Sequence, residues 1–328
     1  MGEVAFDSFW TFWSGARPRL EAAMQGVDAA IFEEVSRAVA RIHEKLEWEI
    51  GPGVRSSKLA FCLSAAGHWE RRVLTERWLR SAPGDDTTWE FHAARPPKLP
   101  LQIEIGGHLV DPNSTVVAYR VDVSRERIDV RIHHPTFTHM DAKTRDSVAF
   151  ILLDGMLGED GVERWIGGVD VEAASPVPST TATELKETAR SLAENATGER
   201  FAVLEGRGSD GMPVLVLVNR ALKRIDHVLK DVHLLVEVPI AGPNARGFPG
   251  AEENRALDAI EDEIVSLLRG RAAYCGRLTH AGRREFHFFA TDDVRPDVDA
   301  WIARAGRTVR ARYAPDPLWE AQRVLGGR

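Results

Sequence analysis

The run GRLTHAGRREFHFFA, residues 276–290, constrains the fold more than any other stretch of this chain. With the preceding Ala273-Tyr274-Cys275 it forms two strand-like segments on either side of Ala281-Gly282, the pattern of an antiparallel hairpin. Side chains alternate across a strand, so Arg277 and Thr279 share one face while Gly276, Leu278 and His280 take the other. Beyond the turn, Arg284, Phe286 and Phe288 oppose Arg283, Glu285, His287 and Phe289. One face therefore gathers Arg277, Thr279 and one of the two following arginines.

The rest of the chain surrounds this hairpin with mixed elements. FAVLEGRGSDGMPVLVLVN predicts a second hairpin around Ser209-Asp210-Gly211, and VHLLVEVPI a further strand. FPGAEENRALDAIEDEIVSLLRG predicts a helix, apolar at Leu257, Ile260, Ile264, Leu267 and Leu268 and stopped by Gly270, with Glu253, Glu261 and Asp262 opposite that stripe. A helix in PDVDAWIARAG, a strand in RTVRARYAP and a short helix in DPLWEAQRVL close the chain.

In the first half, Phe6, Phe9, Trp10 and Trp13 fall at i, i+3, i+4 and i+7, one face of a short helix that docks on its own core. A membrane surface or a second subunit is the alternative occupant of that face. Ile31, Val35, Val39, Ile42 and Leu46 predict one long helix, with Asp28 as cap and Gly51-Pro52-Gly53 as stop. A strand in KLAFCLSA, a helix in HWERRVLTERWLRSAP and a strand in TTWEFHAARPP follow. STVVAYRVDVSRERIDVRIHHP reads as a hairpin, DAKTRDSVAFILLDGMLGEDG as a helix capped by Asp141, and VERWIGGVDVEA as a closing strand. Thr181 and Glu184 fit a capping box after a Pro/Ser/Thr-rich linker. Hairpins mixed with helices imply an α+β fold of two domains, residues 1–177 and 178–328, with mainly antiparallel sheets covered by helices on one face. A weak echo of element order between the halves raises an internal duplication.

Charge narrows the function classes. Residues 1–178 carry 20 Lys and Arg against 27 Asp and Glu, and residues 179–328 carry 22 against 22, so the whole balance of −7 lies in the first half. Neither half has the basic excess of a general nucleic-acid binder. Seven lysines beside 35 arginines point to arginine-rich codon usage, which weakens any single arginine as a sign of phosphate binding. MGEVAFDSFWTFW lacks a basic n-region and a cleavage site, and no apolar run approaches the roughly 18 residues of a bilayer span, so the expected location is cytoplasmic. Cys62 and Cys275 each lie in an apolar run and are expected as buried thiols.

Four constellations bear on chemistry. His133, His134 and His139 are the one cluster with metal-ligand side chains, but adjacent histidines on a strand face opposite ways, so strand-end packing is expected and no metal is assigned. Glu253 and Glu261 share a helix face at roughly 12 Å along the axis, wider than the roughly 5–9.5 Å of paired carboxylates in glycosidases. GRGSDG at 206–211 lacks the lysine and following helix of a phosphate loop. The hairpin face of Arg277, Thr279 and Arg284 is either clasped to Glu253 or Glu261 or open to a small anion, and the clasp is favoured.

The second half resembles the bacterial family known as domain of unknown function 695, over about residues 200–325. Asn219, Gly247-Phe248-Pro249 before Glu253, Glu261-Asp262, Gly276-Arg277-Leu278-Thr279, Gly282, Arg284, Asp316 and Trp319 carry the likeness. The paired FW start, His134-Pro135 with Phe137, and LLDGMLGED resemble a region that accompanies that family. The family has no established activity, and its occurrence beside a ribonuclease E inhibitor-like domain implies regulatory binding by association. The expectation is thus a non-catalytic binding or regulatory module with no cofactor and a protein partner. A hydrolase or nuclease-like enzyme using Glu253, Glu261 and Arg277 is the alternative, and an RNA-binding regulator a third. No membrane partner is expected, and a homodimer through the aromatic helix stays open.

Overall fold

The N-terminal aromatic stripe is an interior face. In the computed structural model, which describes residues 2–27, 29–98 and 102–326, α1 (Gly2–Ala23) buries Phe6, Phe9 and Trp13 in one core with Phe61, Trp78 and Trp89. Trp13 meets Trp89 edge-on at 5.0 Å and Trp10 stacks on Trp78 at 4.9 Å. The docking expectation holds, and these rings are occupied within the chain itself. No helix among the described residues is long and apolar enough to cross a membrane.

α2 (Ala30–Ile42) adds Ile31, Val35 and Val39 to that core but ends well short of the predicted stop. Glu47-Trp48-Glu49-Ile50 alternates charged with apolar residues, a strand period, and forms β1 (Glu47–Pro52) antiparallel to β2 (Leu59–Ser64). Asp28, the expected cap, lies outside the described residues. After a 3-10 turn at Trp69–Arg71 comes α3 (Arg72–Arg80), and β3 (Trp89–His92) then joins β2 in parallel.

β4 (Ile103–Ile105) and β5 (His108–Val110) form a small ribbon turned by Gly106 and Gly107, both at positive φ. β6 (Val116–Asp122) and β7 (Arg127–His133) are the expected hairpin. α4 (Ala142–Leu157) starts on Asp141, whose carboxylate accepts the Thr144 N–H at 3.0 Å. It stops at Gly158, which immediately opens α5 (Glu159–Trp165). Part of the predicted closing strand is therefore helical, and β8 (Ile166–Glu172) begins only at Ile166 and runs parallel to β7. The capping box is realised at α6 (Ala182–Asn195), where Thr181 and Glu184 exchange hydrogen bonds at 2.7–3.2 Å.

By contact density the chain divides into two compact units, residues 1–120 with 128–191, and residues 121–127 with 192–328. In the second, β9 (Phe201–Arg207), β10 (Pro213–Asn219), β11 (Val232–Pro239), β12 (Ala272–His280), β13 (Arg283–Ala290) and β14 (Arg310–Pro315) form one sheet. Its order is β14-β11-β13-β12-β10-β9 and every pairing is antiparallel. α7 (Ala251–Leu267) and α8 (Arg295–Ile302) close one face over Leu234, Val236, Phe286 and Phe288. Part of the other face is covered by α9 (Glu320–Leu325) and Trp319, which stacks on Phe289 at 4.1 Å. Glu126 completes this unit: its carboxylate accepts Thr197 and Gly198 N–H groups at 3.0 and 3.1 Å and pairs with Arg200 and Lys223. The mixed three-stranded sheets of the first unit do not repeat this topology.

Candidate functional site

The hairpin turns as its sequence requires, with Ala281 and Gly282 both at positive φ. Its α7-side face is a clasp. Arg284 is 3% exposed and its guanidinium donates to Thr279 Oγ1 at 3.2 Å, Asp258 Oδ1 at 2.9 Å and Asn254 Oδ1 at 2.8 Å. Arg277 donates to the same Asp258 oxygen at 2.9 Å and to Glu261, whose other oxygen accepts the Tyr274 hydroxyl. Burial, then the neighbouring Arg277 charge, lowers the Arg284 pKa, while burial followed by Glu261 raises that of Tyr274.

Asn254, Asp258 and Glu261 stand at i, i+4 and i+7 of α7, one polar stripe against the hairpin. Glu261 was expected opposite the apolar stripe, either solvated or paired with a nearby arginine. It is buried, because that spacing turns it toward the sheet. Asp258 and Asn254 were missed, although the i, i+4, i+7 spacing was readable.

Glu253 belongs to a different contact at the start of α7, accepting the Ala241 N–H at 2.9 Å and pairing with Arg307 at 2.7 Å. Burial opposes its ionisation, but the Arg307 and Ala241 hydrogen bonds and the Arg307 and Arg284 charges together outweigh it and lower the carboxyl pKa. The sequence candidates thus separate: Arg277, Thr279, Arg284 and Glu261 meet in one network and Glu253 stands outside it. An anion at the arginines would have to displace Asp258 and Glu261.

The histidine cluster serves the strand end. His133 Nδ1 meets the Glu172 carbonyl at 3.0 Å, and His134 lies between the Thr136 hydroxyl and the Asp111 carbonyl at 2.8 and 2.9 Å. His139 is exposed. Both cysteines are buried and free.

An open concavity lies elsewhere, in the first unit. A cavity of about 540 Å³ is lined by Trp69, Phe150, Ala65 and Gly67 together with Lys143, Asp146, Asp154 and Glu159. That volume is within the range of small-molecule sites. A sharp helix break precedes its lining residue Glu159: at Gly158 φ is +77°, and a Cβ there would meet Pro97 Cδ at 2.9 Å and the Arg95 carbonyl at 3.0 Å. The break delivers Glu159 into the interior, where Ser64 Oγ donates to it at 2.7 Å and the Arg95 N–H at 2.9 Å. Beside it Arg72 and Asp160, which also line the cavity, form a bidentate pair at 2.8 and 2.7 Å.

Asp154 differs from these neighbours. It is half-buried and its carboxylate has no hydrogen bond or ion pair among the described residues. Burial, then the Glu159 charge, pushes its pKa up to about 7, partly offset by Arg95. Such a carboxyl can hold or release a proton near neutrality, or meet a cation. Sequence reasoning passed over it, although an aspartate inside the apolar run FILLDGML was a visible signal.

Several residues that carry the family likeness make close contacts within the fold. Asn219 Oδ1 accepts the Arg200 N–H and its amide donates to the Gly198 carbonyl, at 2.9 and 2.8 Å. Gly247 lies so close to the hairpin tip that a Cβ would reach Ala281 Cα at 3.0 Å. Gly276 is tighter still: its Cβ would lie 2.0 Å from the Leu217 carbonyl oxygen. Asp316 accepts the first N–H groups of α9, and the Trp319 indole donates to the Lys230 carbonyl at 2.8 Å. No curated protein and no solved structure matches the chain. Residues 207–320 match the model of a family of unknown function, DUF695, so the C-terminal half of this chain is similar to that family.

Proposed function

We propose that the protein is a cytoplasmic bacterial binding module, non-catalytic and regulatory, that takes a small molecule in the cavity of its first unit. The observation that carries this reading is a roomy, partly aromatic cavity whose floor presents one carboxyl, Asp154, with no protein partner among the described residues. The groups that an enzyme would recruit around it are held by protein partners. Glu159 is held by Ser64 and Arg95, and the Ser147 hydroxyl donates to the Lys143 carbonyl at 3.0 Å. In the second unit the hairpin arginines are held by Asp258, Glu261 and Asn254, which disfavours both an RNA surface and the hydrolase alternative. A protein partner that reads the liganded form belongs to the same proposal.

Filling the cavity tests it. Ser147→Trp places a large ring at the mouth without touching the core. Small-molecule binding measured by calorimetry should disappear in this variant while its circular dichroism and melting profile stay native. Binding that survives in Ser147→Trp sinks the assignment of the cavity.

A further inference from the structure

We infer that the ligand of this cavity is a small organic ammonium ion with an apolar body, its charged nitrogen seated at Asp154. The inference rests on the cavity reading above and adds the ligand's chemistry.

The charge pattern around the cavity supports it. Arg72 faces two carboxylates, Asp160 at 2.7 Å and Glu76 at 3.1 Å. Arg95 faces three, Glu47 at 2.5 Å, Glu49 at 3.3 Å and Glu159 at 3.2 Å. Each buried or half-buried cation here is outnumbered, and Asp154 and Asp146 add negative charge without adding a partner. Among the residues that line the cavity, four carboxylates, Asp146, Asp154, Glu159 and Asp160, stand against two cations, Arg72 and Lys143. An anionic ligand would meet one unengaged cation, Lys143 on the exposed rim, and a surplus of carboxylates further in.

A cationic ligand meets the reverse. An ammonium group supplies the N–H donors that Asp154 lacks and lowers the electrostatic cost of the Asp154–Glu159 pair. Trp69 and Phe150, the latter 43% exposed, offer aromatic surface to an apolar body and π-faces to its charge.

The intact protein is titrated with four probe classes: phenethylammonium and butylammonium, the matched carboxylate phenylacetate, neutral benzyl alcohol, and Mg²⁺ alone. The ammonium probes should bind saturably. Asp154→Asn, shown folded by its melting profile, should weaken them on the order of ten- to a hundredfold, the worth of a charge-assisted hydrogen bond. Lys143→Ala, which removes a positive charge from the cavity lining, should tighten them. If phenylacetate, benzyl alcohol or Mg²⁺ binds instead, and Ser147→Trp abolishes it, the cavity reading stands and the ammonium assignment falls. Ammonium binding indifferent to both Asp154→Asn and Ser147→Trp overturns both, as does silence from every probe.

Discussion

Asp154→Asn should stabilise the free protein by an amount that grows as pH rises from about 4 to about 7. Its carboxyl has a pKa of about 7 in the fold against 3.8 for the unperturbed group, with burial the first cause and Glu159 the second. A carboxyl raised on folding binds its proton more tightly in the native state. That contribution is complete below about pH 4 and is lost as pH rises through about 7. At about 1.4 kcal/mol per tenfold change in ionisation constant, the displacement amounts to at most ~4 kcal/mol. Asp154 is only half-buried, so screening reduces this to about 2 kcal/mol. The amide matches the protonated acid in shape and charge. Urea denaturation of wild type and variant, repeated from about pH 4 to about pH 8.5, should therefore give nearly equal stabilities at the acid end and a variant about 2 kcal/mol more stable at the alkaline end, with most of the change between about pH 4 and about pH 7. A difference that is flat with pH, or a variant less stable at the alkaline end, would refute the claim that the Asp154 charge lacks a protein partner.

The clasp predicts a local asymmetry: Arg284→Met strands Asn254 and Thr279 and removes one of two cations from Asp258, costing about 2–3 kcal/mol in urea denaturation. The adjacent Arg283, 44% exposed, should tolerate the same change to within ~0.5 kcal/mol, and equal costs at the two positions would remove the clasp as a source of stability. Glu90 makes the opposite pH prediction to Asp154. Burial opposes its charge, but His92 and then the Val54, Ser57 and Arg55 N–H groups hold the carboxyl at about 2 against 4.5. Its contribution is present above about pH 4.5 and is lost as pH falls through about 2, so Glu90→Gln should cost about 2 kcal/mol at neutral pH and progressively less in acid. A penalty that persists undiminished in acid would count against this account.

Element type was legible wherever one period dominated. The amphipathic stripe of α7, the alternation in β12 and β13 and the Thr181–Glu184 box each appear as read. The misses have a common cause, a change of period inside one apolar stretch. Leu46 continues the stripe of α2 by spacing, yet Glu47 to Ile50 belong to a strand, and pairing with β2 decided it. Val162 to Trp165 looked like strand because Trp and Ile favour sheets, but the turn at Gly158 starts a helix that holds them. The clasp was half legible: strand alternation placed Arg277, Thr279 and Arg284 together, whereas the helix face that meets them needed Asn254 and Asp258, which look like solvated positions.

By itself the sequence determined the α+β class, the hairpin and its turn, the family likeness, and an acid excess confined to the first half. Each follows from local spacing or composition, which the chain carries before it folds. The tertiary structure decided what those features face. The register of β12 against β13 shifts between Tyr274 and Gly276, leaving Cys275 as an extra residue, and this restores Tyr274 and Arg277 to the same side, where both reach Glu261. In the same way Phe150 and Asp154 from α4, Glu159 from α5 and Trp69 from the 3-10 turn before α3 line one cavity, and only the tertiary fold gathers them. Contacts between separate segments, which no local pattern records, set both sites.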